Sequence, residues 1–240
     1  MTGGVKMSNE KYETLYYESE PNEELVAWNL GETALLIVDM QKQFILRDFG
    51  DAKYMKEIGE WEKWEPFHDR LDNIAVPNNK KLLDYFRKNS MEVTFGRIAC
   101  HHKDGRDRSP VQRKQGWNNI LLPMGSYEAE MIDELKPLED EIVVNKTTDS
   151  VPAGTNYTFL LRNMGIKNVV VTGIVTDQCV ASTVRSLADE GFDVIVAEDG
   201  CAAATDELHF SELRIMNNLY CKVMETDEVI DLLNKIKEGE

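Results

Sequence analysis

An acid, a lysine and a cysteine occupy comparable places in the sequence, each at the end of an apolar run of strand length or just beyond it. Asp39 closes "ALLIVD" after five apolar residues in a row. A carboxylate there must be solvated, hydrogen-bonded or paired, and such an acid makes a base whose pKa its surroundings can tune. The plainer alternative is an Asp that caps the following loop. Lys146 closes "EIVVNK", where a lysine taken alone would be a solvated surface residue. Cys179 follows "NVVVTGI" and opens the helical segment "CVASTVRSLADEG". Amide dipoles at a helix N-terminus favour a thiolate, and free N–H groups there can hold an oxyanion. The alternative is a small buried side chain. Together the three supply a nucleophile, a base and a cationic partner.

The elements that must position them are apolar runs of strand length alternating with helical segments, the pattern of a parallel sheet covered on both faces. The runs span 33–40, 91–99, 141–146, 168–174, 192–199 and, more weakly, 220–225. They predict an α/β fold with a doubly wound six-stranded parallel sheet and helices on both faces. Helices are expected over 78–89, 126–137, 155–165, 179–191 and 206–219. In such a sheet ligands sit beyond the carboxyl ends of the strands, at the point where strand order reverses. That is where Asp39, Lys146 and Cys179 would lie.

Two stretches break the repeat. Residues 1–30 are acidic and aromatic without a clear period and are expected as an N-terminal arm packed on a domain spanning 31–240. Residues 45–76 far exceed the usual connection after a strand, which predicts a lid over the site or a subunit contact. Trp61 and Trp64 within it are expected as packing anchors.

Composition excludes several classes. With 43 acidic against 27 basic residues the net charge is −16, which repels a phosphate backbone and argues against nucleic acid. No window reaches the roughly 18 apolar residues that span a bilayer, and "MTGGVKMSNEKYETLYYESEPNEE" has no apolar core of the signal-peptide kind, so no membrane association and a cytoplasmic location are expected. The four cysteines form no CxxC pair and are expected as reduced thiols. Cys201 and Cys221 are expected as packing residues. "DMQKQF" offers no phosphate loop after the first strand and no GxGxxG occurs, which removes flavin and nucleotide binding.

"ALLIVDMQKQF", "VVNKTTDS" and "VVVTGIVTDQCVASTVRSLADEGFDVIVAEDGCAA" resemble, in order, the three signature blocks of the isochorismatase-like cysteine hydrolases. That family includes nicotinamidases, N-carbamoylsarcosine amidases, and ureidoacrylate and biuret hydrolases. The resemblance covers roughly residues 33–230. It implies a catalytic triad of Asp39, Lys146 and Cys179, a cis peptide at Ile174–Val175, an oxyanion hole from the amides of Val175 and Cys179, and a homodimer or homotetramer. Nicotinamidases resemble one another in an Asp-x-His pair and a further His that hold a metal. The corresponding segment here, "TFGRIACHHKDGRDRS", has no Asp-x-His, and adjacent His101 and His102 cannot both face one site from an extended strand. No metal or other cofactor is therefore expected.

The resemblance implies hydrolysis of an amide or ureido C–N bond in a small molecule. Two rivals stay open: a vinyl ether hydrolase of the isochorismatase type, which would tolerate Cys179→Ala, and a non-catalytic binding member of the fold. Phe44, Arg97, Arg106 and Trp117 are candidate substrate contacts. The arginines belong to a basic segment, 97–118, that either recognises a carboxylate or pairs with the protein's own acids.

Overall fold

The structure is a computed structural model that describes residues 10–17 and 28–239. Six strands form one sheet: β1 (Thr33–Val38), β2 (Glu92–Ile98), β3 (Ile142–Lys146), β4 (Asn168–Ile174), β5 (Asp193–Ala202) and β6 (Lys222–Met224). Their order is β3-β2-β1-β4-β5-β6 and every pairing is parallel. The chain winds outward from β1 to β3, then restarts on the other side of β1 with β4. The reversal point therefore lies between β1 and β4, as expected of a doubly wound sheet.

Alternate residues of the strands feed two cores. Leu36 and Val38 pack with Val169 and Val171 on one face, whereas Leu35 and Ile37 pack with Val170 on the other. The first face is covered by α5 (Tyr157–Asn163), α6 (Ala181–Asp189) and α7 (Asp206–Met216), which contribute Leu161, Val184 and Leu213. The second is covered by α4 (Val76–Lys88) and α8 (Thr226–Gly239), through Leu82, Phe86, Val229 and Leu233. A side-chain period of two along each strand puts apolar groups on both faces, and that is why these runs read as nearly unbroken hydrophobic stretches. No helix among the described residues is long and apolar enough to cross a membrane.

Three helical features are not what the sequence pattern alone provides. The 126–137 segment forms only a short 3-10 turn, Asp133–Leu135. Its backbone bonds instead with the chain after β1: Lys42 N–H donates to Glu130 O and Ile132 N–H to Met40 O. Gln41 and Met131 form an antiparallel bridge. The helix α8 carries no expectation from the sequence pattern yet buries Val229 and Leu233 completely.

Third, the long 45–76 connection is mostly helix. After α1 (Lys42–Ile45) come α2 (Gly50–Glu57) and α3 (Trp61–Arg70), and α3 runs through a π turn, Leu71–Ala75, directly into α4. Val76 N–H donates to Leu71 O. Pro77 has no N–H to give to Asn73 and its ring crowds that carbonyl, so a widened turn joins the helices without a break. Two turns of apolar residues, Phe67 and Leu71, face the core and hold α3 against the sheet.

Of residues 1–30, positions 1–9 and 18–27 lie outside the described residues. Tyr12 is buried in the core against Phe210 and accepts a hydrogen bond at its carbonyl from Asn217. Lys11 pairs with Glu198 on β5 at 3.0 Å, and Trp28 is buried in the second core.

Candidate active site

At the carboxyl end of β1 the chain turns abruptly. Asp39 adopts a left-handed conformation, φ 51°, which Asp tolerates better than most side chains. Its N–H donates to Gly96 O on β2, and Gln41 N–H donates back to Asp39 O. The amide of Ile98 donates to both Asp39 Oδ1 (3.0 Å) and Gln41 Oε1 (2.8 Å). Gln41 is fully buried and also donates to the carbonyls of Ile98 and Ala129. The turn thus fixes the carboxylate at the sheet end.

Close approach of β4 to β1 depends on one residue. Gly173 has φ 116°, and a Cβ there would lie 2.0 Å from Val38 O. Only glycine meets both demands. The Ile174–Val175 peptide that follows is cis. Cys179 then lies in a π turn, Thr176–Val180, that continues without interruption into α6. The turn is tied down by a 2.8 Å hydrogen bond between Thr176 Oγ1 and His209 Nδ1 on α7.

Lys146, at the end of β3, pairs in register with Ile98 of the intervening β2. Its side chain reaches across to the reversal point, where Nζ lies 2.8 Å from Asp39 Oδ2 and 3.4 Å from Cys179 Sγ. Nζ also donates to Thr148 O at 3.2 Å. Side-chain exposure is 0% for Lys146 and 2% for Asp39. Strand order therefore brings together three residues that are more than thirty positions apart in the sequence.

Burial sets the proton inventory. It pushes the Cys179 thiol well above its ordinary range, the Lys146 ammonium pulling it down and the Asp39 carboxylate pushing it further up. Asp39 is raised by burial too, against the opposing pull of Lys146 and the hydrogen bonds it accepts. Burial works against the charge on Lys146, but Asp39 and Cys179 outweigh it and hold the lysine protonated. The helix N-terminus does not by itself make Cys179 a thiolate. The resting cysteine is a thiol that needs a base, and Asp39 is in hydrogen-bond reach of it.

Asp39 and Cys179 border a narrow cavity of about 40 Å³. Asp39, Cys179, Val175, Phe44 and Trp117 all line it. Trp64, expected to be only a packing anchor, lines it as well and stacks on Trp117 with ring centroids 4.6 Å apart. Trp61 lies outside the lining and carries Lys56 over its ring. The other described lining groups include Asp51, Met55 and Phe67 from the 45–76 segment, together with His68, Ile120 and Gln178. Sequence patterning could not separate these from ordinary packing residues.

The arginines are elsewhere. Arg97 does not line the cavity and donates to Asn145 Oδ1 at 2.7 Å. Arg106 is mostly exposed and pairs with Asp104. Arg108 bonds the carbonyls of Gly105 and Gln112, so the basic segment is spent largely on its own loop. His101 and His102 are exposed, and their amides donate to Asp107. Among the described residues no group of three or more His, Cys, Asp or Glu is placed to hold a metal. All four cysteines are free and buried.

Residues 33–228 match the isochorismatase domain. The chain is 31% identical over 207 residues to the ureidoacrylate amidohydrolase of Acinetobacter baylyi, covering 83% of each. An N-carbamoylsarcosine amidase from Thermoplasma acidophilum superposes with a TM-score of 0.63 at 26% identity, covering 82% of this chain and 97% of that one. A cysteine hydrolase from Pseudomonas syringae has the same fold, with a TM-score of 0.73 at 22% identity over 88% of this chain and 97% of its own. A domain match over most of the chain, on a six-stranded sheet with Asp39, Lys146 and Cys179 gathered at its reversal point, establishes that the protein belongs to the isochorismatase family.

Proposed function

We propose that the protein hydrolyses an amide or ureido C–N bond of a small molecule through a thioester on Cys179. The observation that carries this is the position of Lys146 Nζ, in contact with both the Asp39 carboxylate and the Cys179 sulfur, which themselves line the cavity. The relatives named as ureidoacrylate amidohydrolase and N-carbamoylsarcosine amidase support a C–N bond as the target.

The chemistry follows from the proton inventory. Asp39 takes the Sγ proton, and Lys146 offsets the negative charge that moves from carboxylate to sulfur. The thiolate attacks the substrate carbonyl carbon, forming a C–S bond, and the carbonyl electron pair becomes an oxyanion. In this reading the amides of Val175 and Cys179 receive it. Collapse breaks the C–N bond, and Asp39 returns its proton to the departing nitrogen. Asp39 then takes a proton from water, whose oxygen attacks the thioester. A C–O bond forms, the C–S bond breaks and the thiol is restored.

The test is ammonia release from primary amides, ureido acids and carbamoyl amino acids, with wild type compared with Cys179→Ala. The expected loss is at least about a thousandfold for a residue that forms the covalent intermediate. Turnover of a vinyl ether substrate that survives Cys179→Ala would replace C–N hydrolysis with ether hydrolysis.

A further inference from the structure

The established family and the three strand-end residues leave open what the rest of the cavity receives. Asp51, Met55, Trp64, Phe67 and His68 of the 45–76 segment line it, and its charges are unusual. Among the described lining residues there is no arginine and no lysine, but there are two carboxylates, Asp39 and Asp51. Asp39 is paired with Lys146. Among the described residues Asp51, on α2, receives only Gln43 Nε2 at 2.7 Å on Oδ1, leaving its second oxygen without a cationic partner there. Burial pushes Asp51 up to about 6, so at neutral pH it is mostly a desolvated carboxylate.

His68 on α3 lines the same space. It is 2% exposed, and its Nδ1 has no hydrogen-bond partner among the described residues. Burial pushes this imidazole down, and Arg47 and Lys56 add to that push against a hydrogen bond to the backbone of Ile45, which keeps the ring neutral. Those two cations are committed elsewhere: Arg47 bonds Asp69 and Asp72, and Lys56 bonds Asp48. A buried imidazole nitrogen with no protein partner keeps a lone pair free to accept a hydrogen bond from a group that enters the cavity. The lining is also aromatic, with the stacked Trp64 and Trp117 facing the space. Such faces favour flat groups and positive charge.

We propose that Asp51 and His68 form the specificity end of the site and select a small amide whose distal end is a hydrogen-bond-donating nitrogen, neutral or protonated, while rejecting a distal carboxylate. The assignment rests on the amidohydrolase reading for the scissile end but not for the distal one. A carboxylate brought here would lose its hydration beside Asp51 and find no cation in return. An N–H or ammonium end finds an acceptor with an open lone pair and an aromatic wall.

Isothermal titration of the Cys179→Ala protein, which keeps the pocket and removes the nucleophile, tests this with three matched amides: 3-aminopropanamide, malonamide and malonamic acid. The first two are expected to bind at least about tenfold more tightly than malonamic acid, the size of discrimination that one unpaired buried polar group produces. Adding Asp51→Asn or His68→Phe is expected to shrink that gap. If Asp51→Asn does not fold, His68→Phe decides alone. Equal or tighter binding of malonamic acid, an unchanged gap in the folded variants, or no binding of any of the three overturns the proposal. A preserved binding order with no ammonia released by the wild type would instead sink the amidohydrolase reading while leaving the specificity end in place.

Discussion

Lys146→Met is the most informative single perturbation, because one side chain supports two different partners. The Lys146–Asp39 contact of 2.8 Å corresponds to roughly 6 kcal/mol of gross attraction at an effective dielectric near 20. Desolvation of both ions offsets much of it, but removing one member leaves the other charge buried, which costs about 3–5 kcal/mol. The 3.4 Å contact to Cys179 Sγ corresponds to roughly 5 kcal/mol gross in favour of the thiolate. If half of that survives screening, the thiol pKa rises by about 2 units in the variant. Protonation of Asp39 in the variant would relieve an opposing charge, so the expected fall in iodoacetamide alkylation of Cys179 near pH 8 is about thirty- to a hundredfold. Urea unfolding should show the stability loss at pH 8. The sign with pH follows from Asp39, whose folded pKa already lies above 3.8 and rises further without the lysine. Such a group destabilises the fold above its folded pKa, and the penalty fades as pH falls toward 3.8. The variant's deficit should therefore shrink in acid. An alkylation rate within threefold of wild type from pH 6 to 10, with a deficit under about 1 kcal/mol, would refute the role given to Lys146.

Gly173→Ala should abolish soluble folded protein or cost at least about 3 kcal/mol, since a Cβ at that position meets Val38 O at 2.0 Å; a melting temperature within 2 °C of wild type would contradict it. Glu198 is held down to about 2, the pull of His209, Tyr12 and Lys11 exceeding the upward push of burial. Its stabilisation is present above pH 4.5 and lost as pH falls through about 2, so Glu198→Gln should cost about 3 kcal/mol at pH 7 and much less at pH 3 in urea titrations. Asp51 runs the other way: its folded pKa of about 6 means that its penalty is absent below 3.8 and complete above 6. Asp51→Asn should accordingly raise stability by about 1–3 kcal/mol at pH 7.5 and leave it unchanged at pH 4; a loss of stability at pH 7.5 would show that its bond with Gln43 outweighs the buried charge.

What the sequence determines by itself is the sheet and its reactive ends. Apolar runs with a period of two on both faces can be buried only between helix layers, and the alternation with helical segments requires parallel strands. A polar or ionisable residue that ends such a run is conspicuous because burying it uncompensated is costly. For that reason Asp39, Lys146 and Cys179 stand out from residue order alone, whereas Arg97 and Arg106 leave two readings open: charge in a sequence does not say which partner satisfies it. Tertiary structure alone decides the rest. The 126–137 segment has helical composition, but its carbonyls are claimed by the turn after β1, a contact across some ninety positions that no local propensity encodes. Likewise Trp64, Asp51 and His68 carry the amphipathic pattern of packed helices, and they face a cavity only because α2 and α3 fold back over the carboxyl ends of β1 and β4. Whether an aromatic or a buried acid packs a core or receives a substrate depends on which atoms lie opposite it, and those are supplied by the fold.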